Sequence, residues 1–241
     1  MESKTLGIYP LTLQMLHSRD HLEREIYPYV HKEYYWSSDS TAAFYIAQAK
    51  AGFIAVSEVI EGQELLLPEI QRSYAVLDFD DLHISRKVAA ILRTHSPLLE
   101  ITTDLDEAAD QIARYHRHNW FTPRYRKILQ STVNTDPEFQ PCAVLLKDAG
   151  RIIAGEIGYV VGRTYTSLTG FSSRERAYRD WGKVQMVLLA QRLQREGFAF
   201  WNLGHPYMPY KTALGAKIYT RLEFLERWYQ AAQDRKSSSF C

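Results

Sequence analysis

The stretch AVLLKDAGRIIAGEIGYVVGRTYTSLTGFS, residues 143–172, decides the fold. It contains three short apolar runs, which are separated by two turn signals, Asp148-Ala149-Gly150 and Gly162-Arg163. Glycine and aspartate tolerate the backbone conformations that tight hairpin turns require. The stretch therefore predicts an antiparallel meander of three strands.

Further elements follow the meander in a recognisable order. The segment YRDWGKVQMVLLAQRL (178–193) predicts a helix with four inward side chains, Val184, Val187, Leu188 and Leu193. After it, FAFWNL predicts a strand, a short helix ends at Leu214-Gly215, AKIYTR is strand-like and LEFLERWYQAAQ predicts a last helix. This order is typical of the GNAT acyltransferase core. The predicted class is α/β (α+β), with a mixed, mainly antiparallel sheet flanked by helices.

The chain before the meander is less regular. A helix is predicted over residues 41–51 with Asp39 or Ser40 as its cap, and two strands are predicted around Glu61-Gly62, closed by Pro68. Two further helices are expected, one from about Leu82 to Arg93 and one capped by Thr103, in which one face carries Leu105, Ala108, Ala109 and Ile112. We expect a small N-terminal domain, residues 1–75, and a GNAT-like domain, residues 76–241.

Composition narrows the class of protein. Hydrophobic residues make up 46% of the 241, which is enough for a sizeable core, and the net charge of +1 gives no global basic field. The two cysteines, Cys142 and Cys241, form no zinc pattern and no disulfide framework. Neither a signal peptide nor a membrane span is evident. We therefore expect a cytoplasmic monomer, with residues 236–240 (KSSSF) as a frayed tail.

The start of the 178–193 helix resembles a coenzyme A-binding loop in which the last Gly/Ala position is changed. Such loops read Gln/Arg-x-x-Gly-x-Gly/Ala, and their glycines let backbone N–H groups approach the diphosphate. Arg179 and Gly182 fit the first half, whereas Val184 occupies the last position. Lys183 could still hold one phosphate as a point charge, and an ordinary helix start is an equally good interpretation.

From about Phe44 to Trp228, the chain resembles the leucyl/phenylalanyl-tRNA–protein transferase family. Ordered local matches carry the resemblance: QAKAGF, LDFDDLHISRKV, NWFTP, RIIAGEIGYVVGRTY, FSSRE, Lys183, REGF and LGAKIYTRLEFL. The resemblance implies a GNAT-like domain preceded by a small N-terminal domain. It also implies transfer of an amino acid from charged tRNA to a protein N-terminus, marking that protein for degradation, with aminoacyl-tRNA as co-substrate and no cofactor.

Three departures from the family's pattern fall on its site residues. The family's Trp-Trp-Ser-Pro, a wall of the amino-acid pocket, becomes LLLPEI (65–70). Its site carboxylate is replaced by Leu168, and its Asp-Cys-Gln becomes NLGH, so that Asn202 stands where the Asp was. The resemblance therefore implies altered specificity for the amino acid.

We assign three candidate catalytic residues. His205 could accept the amine proton, although His205-Pro206 also fits a surface turn. Asn202 could hydrogen-bond the ester or the amine, although asparagine at a strand end is a common turn residue. Glu156 could be a general base, or an edge residue facing solvent. The predicted substrate-binding residues are Trp120 as a pocket wall and the end of the meander, Ser167, Leu168, Thr169 and Gly170.

The segment RYHRHNWFTPRYRK (114–127) interleaves basic and aromatic side chains, which suits a surface that follows an RNA backbone and stacks bases. An ordinary solvated face is the alternative, and the family resemblance favours RNA. The predicted tRNA-binding residues are Arg114, Arg117, Arg124, Arg126, Lys127 and Lys183. No metal site is supported, because the histidine pairs have the wrong spacing or no third ligand.

The sequence thus predicts an aminoacyl-tRNA-dependent transferase whose acceptor is the N-terminus of a protein or peptide. Two alternatives remain open: a GNAT enzyme that uses acyl-coenzyme A, and an inactive relative that binds tRNA or degradation signals.

Overall fold

The protein is described by a computed structural model over residues 7–60, 62–234, 240 and 241. Its N-terminal part contains β1 (Ile8–Pro10), α1 (Leu13–His17), α2 (Arg19–His21), a π-helical turn (Leu22–Ile26), β2 (Tyr34–Trp36), α3 (Ala42–Lys50), β3 (Ile54–Ile60) and β4 (Gln63–Glu69). The four strands form one sheet in the order β1-β2-β4-β3. The predicted hairpin is present, with Gly62 in the left-handed region at φ +79°, and Glu61 lies outside the described residues.

The next elements begin a second sheet. They are β5 (Ser73–Leu77), a 3-10 turn (Phe79–Asp81), α4 (Arg86–Thr94), β6 (Leu98–Thr102), α5 (Asp106–Tyr115) and α6 (Pro123–Gln130). The predicted inward face of α5 is confirmed, since Leu105, Ala108, Ala109 and Ile112 are all buried.

The remaining elements complete that sheet. They are β7 (Phe139–Asp148), β8 (Arg151–Val161), β9 (Thr164–Ser172), a 3-10 turn (Arg176–Tyr178), α7 (Trp181–Arg195), β10 (Phe200–Asn202), α8 (Pro209–Ala213), β11 (Lys217–Thr220) and α9 (Arg221–Ala232). The strand order is β11-β5-β10-β9-β8-β7-β6. The predicted meander is confirmed, because β7, β8 and β9 pair in antiparallel register across the two expected turns.

One parallel pair interrupts the antiparallel sheet. Strands β9 and β10 run parallel but pair only from Phe200↔Thr164 to Asn202↔Thr166. Beyond Thr166, β9 continues to Ser172 while β10 has ended, so the backbone of β9 is unpaired on this side. A meander, a helix and then a short parallel strand with a gap is the GNAT-like arrangement, and the predicted fold class is confirmed.

Three predicted helix starts were wrong. Helix α3 is capped by Thr41, whose hydroxyl accepts from the Phe44 N–H, while Asp39 accepts from Thr41. Helix α4 starts at Arg86 under a Ser85 cap, because residues 82–84 form a connection in which the His83 N–H donates to the Leu214 carbonyl. Helix α5 starts at Asp106, and Thr103 does not cap it.

The N-terminal sheet and the larger sheet share a core. Apolar residues of α3, β3, β7, β8 and α9 belong to one buried cluster, and α7 covers a second cluster on the other face of the larger sheet. Arg221 is fully buried and donates to backbone carbonyls of the N-terminal part, including those of Tyr29, Ile70 and Gln71. The predicted division at residue 75 falls inside β5 and stays a prediction.

The C-terminus corrects two further predictions. Cys142 and Cys241 form a disulfide, although the sequence indicated no disulfide framework. Phe240, predicted to fray, is buried against Tyr165 and Phe198, which explains why residue 241 lies beside β7. Residues 236–239 of the predicted tail lie outside the described residues. Across the described part of the chain, no helix has the length and apolar character needed to cross a membrane.

Candidate active site

The gap between β9 and β10 opens into a cavity of about 970 Å³. Its floor contains Glu156 of β8, Ser167 of β9 and Lys211 of α8. One wall is formed by the segment that follows α5, and the other by the loop that precedes α7. The sheet therefore positions the floor and two connections supply the walls.

Glu156 is a buried carboxylate at the floor of the cavity. It accepts hydrogen bonds from the Ser167 hydroxyl at 2.6 Å, from the Tyr165 hydroxyl at 3.1 Å and from the Gln185 amide at 3.2 Å. Burial raises the pKa of Glu156, and these donors partly offset that effect. A desolvated carboxylate held by three donors is a fixed, strengthened base.

Lys211 is the second buried charge of the cavity, and its side chain is only 5% exposed. Its ammonium donates to the carbonyl of Leu203 and, at 2.6 Å, to the carbonyl of His205. Burial lowers the pKa of Lys211 to about 8, while the charge of Glu156 opposes the shift. An ammonium has three donors, so one remains beyond these two carbonyls.

Sequence reasoning missed Lys211. The segment PYKTALG reads as a short helix, and a single lysine on such a helix is normally solvated. The residue is buried because α8 follows the loop after β10, which folds over the cavity. That placement depends on the β9–β10 gap and leaves no pattern in the local sequence.

The predicted residues Asn202 and His205 lie behind this floor and do not line the cavity. Asn202 is buried at the end of β10, where its Oδ1 accepts from the Gly204 N–H at 2.9 Å and its amide donates to Thr166. The Nε2 atom of His205 lies 2.9 Å from the buried carboxylate of Glu69. Together they fix the loop whose carbonyls hold Lys211.

The predicted substrate-binding residues do line the cavity. Trp120 is half-buried and packs edge-on against Tyr125. Leu168, Thr169 and Gly170 lie on the part of β9 that has no strand partner on the β10 side. His116, on the same wall as Trp120, donates to the Gly170 carbonyl at 2.8 Å. Ser167 is not free to contact a ligand through its proton, because it donates to Glu156 and accepts from Trp201.

The predicted tRNA-binding residues separate into two groups. Arg126 forms ion pairs with Asp106 and Asp110, Arg124 donates to the Glu64 carbonyl, and Lys183 pairs with Asp180 at 2.8 Å. The exposed residues Arg114 and Arg117 flank the cavity wall, and Lys127 is exposed on α6. Three of the six residues therefore have polar partners within the protein, and the other three are exposed.

Comparison with known proteins identifies the family. Residues 76–229, more than half of the chain, match the family described as leucyl/phenylalanyl-tRNA protein transferase. The chain belongs to this family. A leucyl/phenylalanyl-tRNA–protein transferase of Rubrobacter xylanophilus is 26% identical over 159 residues, which are 65% of this chain and 78% of that protein.

Solved structures give weaker likenesses. FemX has a TM-score of 0.48 at 9% identity, covering 78% of this chain and 70% of its own. The C-terminal domain of a putative lysylphosphatidylglycerol synthetase from Agrobacterium fabrum has a TM-score of 0.42 at 15% identity, covering 90% of this chain and 68% of its own. A GCN5-related N-acetyltransferase from Kribbella flavida has a TM-score of 0.36 at 11% identity, covering 86% of this chain and 73% of its own.

Against the leucyl/phenylalanyl transferase pattern, the acidic group of this site stands on a different strand. Leu168 lines the cavity on β9, where the resemblance to the family predicts that the carboxylate is replaced. Glu156 on β8 supplies a carboxylate instead, opposite Gly170 in the strand register and therefore two residues along β9 from Leu168. Among the described residues, no group of His, Cys, Asp and Glu could hold a metal ion.

Proposed function

We propose that this member of the family transfers an amino acid from charged tRNA to the amine of a protein or peptide N-terminus. One observation carries the proposal: Glu156 and Lys211, a base and a cation, are both buried and both line the cavity at the β9–β10 gap. The unpaired backbone of β9 leaves room for an extended acceptor beside them. The acceptor would thereby be marked for degradation, and we expect the enzyme to act in the cytoplasm as a monomer.

The reaction needs proton handling and charge stabilisation. The acceptor nitrogen attacks the ester carbonyl of the aminoacyl group, an N–C bond forms, and the C–O bond to the terminal ribose breaks. Glu156 takes a proton from the attacking nitrogen and returns it to the leaving ribose oxygen. The remaining donor of Lys211 stabilises the oxygen of the tetrahedral intermediate. In this mechanism Asn202 and His205 are positioning residues, which act through the loop that holds Lys211.

The start of α7 supports a reaction without coenzyme A. The N–H groups of Lys183 and Val184 both donate to the Asp180 carbonyl, at 3.0 and 3.2 Å, and the Val184 side chain is buried. These amides are therefore engaged at the place where a diphosphate would need them. Calorimetry with acetyl-coenzyme A at micromolar concentration should show no binding, and a tight complex would favour an acyl-coenzyme A enzyme.

The presence of Glu156 also argues against an inactive relative. The loss of the family's carboxylate at Leu168 is the main support for that alternative. A buried carboxylate without a catalytic or binding role costs stability, and evolution of a binding module would not require one in the cavity. We therefore favour an active enzyme with changed specificity.

A transfer assay tests the proposal. Each radiolabelled aminoacyl-tRNA is incubated with the protein and with a panel of peptides whose N-termini are free or acetylated. We expect label to enter free N-termini from one or a few of the donors and not to enter acetylated ones. Absence of transfer from every donor, with folded protein that binds tRNA, would leave the inactive relative as the better account.

A further inference from the structure

The opening of the cavity carries basic residues that do not belong to the segment 114–127. The loop between β9 and α7 contributes three exposed arginines to the cavity lining: Arg174, Arg176 and Arg179. We call these three residues the arginine rim. Arg174 donates to the Tyr115 carbonyl on the opposite wall, so this loop is tied across the cavity.

Acidic side chains among the described residues form no ion pairs with the arginine rim. The two acidic residues of the same loop are engaged by other cations, since Glu175 pairs with Arg151 and Asp180 pairs with Lys183. In the described parts of the chain, no ion pair involves an arginine of the rim. A hydrogen bond from Lys183 lowers the pKa of Asp180, and the charges of Lys87 and Arg179 lower it further. The loop therefore presents a surplus of positive charge.

The opposite wall of the mouth has a different character. It contains the aromatic side chains of Tyr115 and Trp120, together with the exposed His118. A groove with cations on one side and aromatic rings on the other suits single-stranded nucleic acid, whose phosphates and bases point to different sides. A peptide N-terminus offers no comparable row of negative charges.

We propose that the arginine rim binds the last phosphates of the RNA donor, while the donor's terminal base lies against Tyr115, and Trp120 is left to the amino-acid side chain. This inference rests on the proposed function, because the aminoacyl ester must reach Glu156 and the adjoining phosphates must then pass the mouth. Arginine matches phosphate geometry with paired donors, which fixes the direction in which the strand enters. The basic side chains of the segment 114–127 would then contact more distant parts of the tRNA.

The double substitution Arg176→Gln/Arg179→Gln tests the inference, since both side chains are exposed and lack ion pairs. Arg93→Gln/Arg195→Gln is the matched control, because it removes the same charge from exposed positions that lie outside the cavity and also lack ion pairs among the described residues. Three donors are compared: charged tRNA, an aminoacylated trinucleotide and an aminoacyl-adenosine without phosphate. For the rim variant we expect a KM at least about tenfold higher for the first two donors, unchanged kcat, and unchanged KM for the nucleoside.

Salt dependence gives an independent readout. Binding of uncharged tRNA, followed by fluorescence anisotropy, should lose roughly 0.7 to 0.9 of log–log slope per lost phosphate contact in the rim variant only. A slope and KM equal to those of the control would overturn the inference. An effect on the peptide KM with none on the donors would assign the rim to the acceptor. Because this binding assay needs no chemistry, it stays decisive if the protein transfers nothing.

Discussion

Replacement of Glu156 by Gln separates the chemistry of the site from its architecture. Glutamine has the shape of the native side chain, and its carbonyl oxygen can still accept from Tyr165 and Ser167. Its amide would face the Gln185 amide, which now donates at 3.2 Å and can reverse by rotating its terminal group. The variant therefore keeps the packing of the cavity floor but lacks a base.

The expected loss of transfer is large compared with the expected change in stability. A positioned general base contributes about 10²- to 10⁴-fold, or about 2.7 to 5.4 kcal/mol of transition-state free energy. The folded pKa of Glu156 is raised, so its ionisation opposes folding increasingly as pH rises from the ordinary carboxyl pKa through the folded one. Removing that carboxylate relieves this cost but withdraws a favourable charge from Lys211. Because the two effects oppose each other, we expect the free energy of unfolding at pH 7 to change less than the free energy of activation does.

Single-turnover transfer with saturating charged tRNA measures the first quantity, and urea unfolding measures the second. Ser167→Ala is the matched control: it removes one donor to Glu156 and retains the carboxylate. Losing that donor raises the pKa of Glu156 further, so the acidic limb of the rate profile should move to higher pH while the plateau is retained. A Glu156→Gln variant that transfers at the wild-type rate would refute a catalytic role for Glu156.

Three further outcomes are expected. Wild-type transfer, corrected for spontaneous ester hydrolysis, should fall above pH 8 as Lys211 loses its proton. Lys211→Arg should remove this basic limb of the pH–rate profile because arginine stays charged. If both enzymes showed the basic limb, Lys211 would be excluded as its source. Asn202→Ala should lower transfer about 10- to 100-fold, or 1.4 to 2.7 kcal/mol, with nearly unchanged tRNA affinity, and His205→Ala should do less; wild-type rates in both would exclude a positioning role for the two residues. Replacing Arg124, Arg126 and Lys127 by Ala should flatten the salt dependence of tRNA binding by roughly 0.7 to 0.9 per lost contact, and an unchanged slope would make them a solvated face.

Local sequence predicted the larger sheet well because its turns carry their own signals. In the Asp148-Ala149-Gly150 turn both Ala149 and Gly150 have positive φ, a conformation that glycine favours and alanine adopts only rarely, so Gly150 carries the signal. The helix starts were harder to predict. Ser, Thr and Asp stand close together before α3, α4 and α5, and the choice among them depends on which side chain reaches the free N–H groups.

The sequence predicted some residues of the candidate site and missed others, and the reason is physical. Glu156 and the Ser167–Gly170 segment lie on two strands of one hairpin, and the short turn between these strands keeps them neighbours. Lys211 and the arginine rim lie on connections, and they reach the cavity only because the β9–β10 gap draws those connections together. Asn202 was predicted at the correct strand end, but its side chain is used to bind the Gly204 N–H.

The two buried charges, Glu156 and Lys211, also favour each other's ionised form. An ammonium as buried as that of Lys211 would lose its proton near neutral pH unless carbonyls and a negative charge favoured the cation. The carbonyls of Leu203 and His205 satisfy two donors, and Glu156 supplies the charge from the neighbouring strand. The same carboxylate on β9, at Leu168, would project towards the wall that holds Trp120. Without it, in the proposed mechanism, the base is separated from the surface that would contact the amino-acid side chain. Specificity can then change through Leu168 and Trp120 while Glu156 and Lys211 conserve the chemistry.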